Sequence, residues 1–163
     1  MNKKLTALAL ACCCALPVLA ADPAPNGLTL PDGYKDWRLL SVSQRTDNNT
    51  IRAILGNDIA IKAAREGKTN PWPDGAVLGK LAWKNAKNEK WDAAIEPGAF
   101  IQAEFMTKNA EKFAATGGWG FSRWVGMDQK PYGKDASFAQ ECFGCHTPVK
   151  DNDWVYTHPA KLP

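Results

Sequence analysis

Histidine is scarce in this sequence, and cysteine nearly vanishes once the first stretch is set aside. The 163 residues hold two His and five Cys, and three of the cysteines, Cys12, Cys13 and Cys14, stand together near the start. Beyond them only Cys142 and Cys145 remain. A disulfide framework is thereby excluded, and any structural disulfide would have to join that close pair. Excess charge is lacking as well: 20 Lys plus Arg face 17 Asp plus Glu, and without Lys3 and Lys4 the balance is 18 against 17. That balance argues against a nucleic-acid binder and against a polybasic protein of the membrane surface. No repeat period runs through the chain, and its Gly and Pro are scattered, so collagen, solenoid and disordered readings fall. The long apolar run, Leu5 to Leu19, contains Pro17 and stops short of the roughly 20 residues a bilayer needs.

What is present begins with that run. It follows Asn2-Lys3-Lys4 and closes on Val18-Leu19-Ala20, with small residues where a signal peptidase cuts. Residues 1–20 are expected to be a cleaved signal peptide and residues 21–163 a single domain. The domain then keeps two thiols, both in Cys142-Phe143-Gly144-Cys145-His146. This is the attachment signature of a c-type haem (heme c). Two thiols three residues apart on a helical turn reach the two vinyl groups of one porphyrin, and the adjacent imidazole lies under the iron. A thioredoxin-like pair would sit near the start of a βαβ unit rather than near the C-terminus. A structural zinc site wants four ligands, and only His158 is left to join these three. One covalently bound haem c is therefore expected, with Cys142 and Cys145 as anchors and His146 as iron ligand. Bacterial haem attachment takes place outside the cytoplasmic membrane, which agrees with export to the periplasm.

The pattern along the chain alternates strands with occasional helices. Residues 21–30, with two Pro and a Gly, read as a loose lead-in. Strands are expected at Trp37 to Val42, Thr50 to Leu55, Ala76 to Trp83, Ala99 to Met106 and Trp119 to Val125. Asn57 caps a helix to Glu66 that Gly67 stops. A short helix is expected over Asn109 to Ala115, and a last one from Asp135, as its N-cap, to Cys145. The fold class is then α+β, an antiparallel sheet with a few helices and the haem on a C-terminal helix.

Met106, Met127, His158 and Lys80 are the candidates for a sixth iron ligand. Met106 reads as core, Met127 as a loop residue and His158 as a solvated tail residue, so an open distal face is expected. Lys80 and Glu104 each interrupt an apolar strand, where a buried charge is costly unless paired or chemically used. Strand periodicity puts Lys80 with Leu78 and Ala82, and Glu104 with Phe100, Gln102 and Met106. Both faces look either into one pocket over the haem or out from an edge strand.

The chain resembles the cytochrome P-460 family. The likeness runs through Tyr34-Lys35-Asp36-Trp37, the segment Asp74 to Lys80, Glu104 through Phe113, Gly118-Trp119-Gly120-Phe121 and the haem motif followed by Asp151-Asn152-Asp153. The resemblance implies a homodimer with five-coordinate iron. It implies Lys80 as a covalent attachment to a haem carbon besides the two thioethers, Glu104 as a distal proton relay and Arg52 as a residue near the haem. The implied reaction is oxidation of hydroxylamine to nitrous oxide through an iron-nitrosyl, with electrons leaving to a soluble acceptor protein. In that reaction a partly desolvated Glu104 with a raised pKa takes up protons. A sister branch, the cytochromes c′-beta, lines the distal side with Phe and binds nitric oxide or carbon monoxide without turnover. Phe100, Phe105 and Phe121 leave that reading open, and a simple electron carrier is the third.

Overall fold

The structure, a computed structural model, describes residues 21–163. The expected signal peptide, residues 1–20, lies outside the described residues. Six strands form one antiparallel sheet in chain order: β1 (Arg38–Arg45), β2 (Thr50–Gly56), β3 (Val77–Lys87), β4 (Ile95–Lys108), β5 (Trp119–Val125) and β6 (Lys130–Pro131). Helix α1 (Asp58–Arg65) lies between β2 and β3, and α2 (Phe138–His146) follows β6. The α+β architecture with a C-terminal helix is as the sequence implies. Among the described residues no helix is long and apolar enough to cross a membrane.

Asn57 shows how local chemistry sets the connections. Its Oδ1 accepts from Ala60 N at 3.0 Å, capping α1, and from Val77 N at 3.1 Å, while its Nδ2 donates to Gly75 O at 2.8 Å. One amide thus satisfies a helix start and pins the first residue of β3 beside it.

The sheet buries both faces, which is why β3 to β5 carry so many apolar residues. One face holds Leu78, Trp119 and Phe121 with Ile54, Trp72, Val155 and the apolar side of α1. The other holds Ala103, Phe105 and Trp124 with Ala24, Tyr34 and Phe138. Phe105 is the hub there, edge-on to Tyr34, Trp37 and Trp124 at centroid distances of 5.2, 6.1 and 5.9 Å.

Several local expectations are corrected. The lead-in is anchored rather than loose: Trp124 Nε1 donates to Asp22 O at 2.9 Å, Asn26 Nδ2 donates to Phe121 O at 2.8 Å, and Ala24 is buried. These backbone acceptors are invisible in composition. Residues 109–115 make turns, with only a 3-10 turn at Ala114–Thr116, because Asn109 and Asp74 side chains take the amides of Lys112 and Ala110. Helix α2 starts at Phe138, since Asp135 spends its carboxylate on the amide of Ser137 in a local turn. In β4 the register shifts between Ala82–Gln102 and Trp83–Phe100, leaving Ile101 as a bulge. Everything before it changes face, so Phe100 packs edge-on against Trp83 at a centroid distance of 5.7 Å instead of joining Gln102, Glu104 and Met106.

Truncating the hub should be expensive. Phe105→Ala, at a site 1% exposed, is expected to cost about 3–5 kcal/mol of unfolding free energy in denaturant titration. A loss under about 1 kcal/mol would show that the far-face aromatics do not form one packed unit.

Candidate functional site

Alternation along β2 to β5 points Ile54, Lys80, Glu104 and Arg123 to the same side, and register aligns them. Lys80 pairs with Ile54 and with Glu104, and Glu104 pairs in turn with Arg123. Helix α2 and the tail fold over this face and border a half-open cavity of about 1050 Å³. Arg52, Lys80, Glu104, Cys142, Cys145 and His146 all line it. Every site residue expected from the sequence is therefore brought to one cavity, and the outward-facing alternative for Lys80 and Glu104 is removed.

The sequence reading missed Arg123. Its Nη2 lies 2.9 Å from Glu104 Oε1, and its guanidinium sits 4.3 Å from the centre of the Tyr132 ring. The signal was available, because Arg123 breaks an apolar strand just as Lys80 and Glu104 do. Lys80 Nζ makes an ion pair with the other oxygen, Oε2, so the carboxylate is held between two cations. Burial presses the Glu104 pKa upward, but Lys80 and Arg123 together outweigh it and leave the pKa below its ordinary 4.5. The expectation of a raised pKa is corrected accordingly for the paired state.

His146 ends α2 with its Nδ1 2.6 Å from the carbonyl oxygen of Trp154. A carbonyl only accepts, so Nδ1 carries the proton and Nε2 keeps its lone pair for a metal. Burial lowers the imidazole pKa, opposed by that hydrogen bond, which favours the neutral form a ligand needs. Phe121 packs against the ring at 5.4 Å and Tyr156 at 5.3 Å, edge-on. Cys142 and Cys145 are free thiols, the first half-buried with its pKa pushed up by burial and the second exposed.

Of the sixth-ligand candidates, Met127 is 82% exposed and stands outside the cavity. Met106 and His158 line it, the first half-buried and the second exposed. The tail carrying His158 is not free, since Ala160 N donates to Leu40 O at 2.8 Å.

The residues present fit a haem c. A Cys-x-x-Cys-His helix borders a cavity of macrocycle size, and the buried Nε atoms of Arg52 and Arg123 have no partner among protein atoms. Unused guanidinium donors suit a group that carries carboxylates. An α+β sheet that turns this helix toward a basic cavity is the framework of a haem-binding cytochrome. The family model for Cytochrome P460 matches residues 31–157, and the chain belongs to that family. No curated protein matches it significantly.

The Glu104 ion pairs set a pH dependence. A carboxylate with a depressed folded pKa adds stability that is complete above about 4.5 and is lost as the pH falls through its lower folded value. Glu104→Gln is expected to lack this part of the acid limb when denaturation midpoints are compared with wild type across the acid range. Coincident acid profiles would show that Glu104 gains nothing from its cations.

Proposed function

We propose that this protein is a periplasmic cytochrome that oxidises hydroxylamine at a single haem c bound through Cys142 and Cys145, with His146 as the iron ligand. The observation that carries the reading is the placement of Lys80, Glu104 and Arg123, in one row across three strands, on the cavity that His146 borders. When bound, the haem iron supplies the electron-accepting centre.

The chain's own residues do the rest. Hydroxylamine loses protons as it loses electrons, and Glu104 is the carboxylate among the buried cavity charges that accepts them. Arg123 fixes Glu104 Oε1, leaving the carboxylate one defined orientation. Lys80 would hold the haem through a further covalent bond, beyond the two thioethers of Cys142 and Cys145. With its amine engaged there, one of the two cations would be withdrawn from Glu104, the upward push of burial would be less opposed, and the carboxylate would be a better proton acceptor. Arg52, whose pKa is pressed downward by burial and then by Arg45, is the donor held ready near the haem. Electrons leave to a soluble acceptor protein, and the working unit is a homodimer.

The gas-binding alternative draws less support. It asks for phenylalanines over the distal side, whereas the bulge turns Phe100 away, Phe105 packs into the far-face core and Phe121 lies against His146.

In haem-loaded protein, Lys80→Ala is expected to keep the haem, lose the red-shifted absorption band of the family and lose hydroxylamine-dependent reduction of an added acceptor. Glu104→Gln is expected to lower kcat by about 10²–10⁴-fold with a smaller change in KM, the usual worth of a positioned proton acceptor. Wild-type kinetics and spectrum in both variants would refute the assignment, and a wild-type protein that binds nitric oxide but does not consume hydroxylamine would favour the gas binder.

A further inference from the structure

Outside the cavity charges lies a second ionic group that the reaction does not use. Lys108, the last residue of β4, and Asp153, in the turn after α2, are 6% and 5% exposed. Lys108 Nζ donates to Asp153 Oδ1 at 2.6 Å and Oδ2 at 2.8 Å, and Oδ2 also accepts from Trp72 N at 2.8 Å. The backbone oxygen of Asp153 accepts from Trp119 Nε1 at 2.8 Å. Three separate segments thus converge on one aspartate.

A buried ion pair is poor evidence for stability, since desolvation consumes most of the Coulomb gain, and its best-attested use is to specify one arrangement. The arrangement specified here is unusual. Asp153 and Trp154 are successive non-glycine residues in the left-handed region, with φ of 50° and 59°. Such backbone persists only where its surroundings over-determine it. The Trp154 indole adds a further constraint, lying so close to Gly117 that a Cβ there would stand 2.6 Å from its Cε2, on a glycine whose φ is itself 67°. The outcome of this strained turn is the direction of the Trp154 carbonyl, which accepts the Nδ1–H hydrogen bond of His146.

We propose that the buried Lys108–Asp153 pair is a positioning device for the iron ligand, holding the Asp153-Trp154 turn so that the Trp154 carbonyl fixes the tautomer, ring orientation and electron donation of His146. The proposal rests on His146 being that ligand. A partner on the far nitrogen of a ligating imidazole raises its basicity, and a stronger donor favours the ferric state. Lys108 and Asp153 act only through Trp154 and His146.

The test uses haem-loaded protein and two readouts that a merely structural role leaves alone: the ferrous iron–histidine stretching band in resonance Raman and the midpoint potential. Asp153→Asn keeps the shape and an acceptor for Trp72 N while removing the charge. It is expected to retain haem, move the stretching band to lower frequency and raise the potential. Trp119→Phe, which withdraws the indole donor to the turn while keeping an aromatic ring beside Lys108 Nζ, is expected to move both in the same direction by less, and it gives the same readouts if Asp153→Asn does not accumulate. Haem-loaded variants with band and potential at wild-type positions would overturn the proposal. A wild-type protein without a histidine stretching band, or a band unaffected by His146→Ala, would instead remove the ligand reading on which it stands.

Discussion

Three charged side chains on adjacent strands of a two-sided sheet must all face the same way, and the rest of the site follows from that constraint. Lys80, Glu104 and Arg123 stand in register across β3, β4 and β5. A one-residue slip at any of these pairings would drive a charge into the far-face core, among Ala103, Phe105 and Trp124, where nothing could pair with it. The penalty for slippage is therefore far larger than the small net worth of the ion pairs. The row is also self-limiting: one carboxylate between two cations leaves an excess positive charge in a half-enclosed cavity, the electrostatic setting that favours a group bearing carboxylates.

The two faces of the sheet divide the labour. On the far side the aromatic hub fixes the strands through rigid contacts, and the N-terminal segment covers it by hydrogen bonds from Trp124 and Asn26. On the near side the same strands present polar chemistry, and α2 brings the Cys-x-x-Cys-His motif over them. The bulge at Ile101 ends the functional face of β4 by reversing the alternation, so that Phe100 belongs to the support rather than the site. A second ionic group, Lys108 with Asp153, lies at the other end of β4, beside the turn that accepts the His146 hydrogen bond.

Local signals were readable from the residues alone. The haem motif, the helix capped by Asn57 and the five principal strands depend on neighbours within a few positions, and the sequence supplies them. Lys80 and Glu104 were legible as interruptions of apolar strands, although periodicity does not say which way a strand faces. Arg123 carried the same signature and went unread. What lay beyond reach were partnerships distant in sequence: Lys108 with Asp153, 45 positions apart, Asn26 with Phe121, and the bulge that exchanged Phe100 for Ile101. The Glu104 pKa depends on Lys80 and Arg123 from two other strands, so a reading from burial alone gave it the wrong direction. Asp135 misled for a local reason, since an aspartate caps its own turn as readily as a helix.

The proposed function stands or falls with a prosthetic group bonded through residues on two walls of this cavity. Protease digestion and peptide mass spectrometry of protein matured in a periplasm with a haem-attachment system test it most directly. One haem is expected to join the peptide of Cys142 and Cys145 to the peptide of Lys80 in a single cross-linked species. Unmodified thiols on the first peptide and an unmodified amine on the second would contradict it.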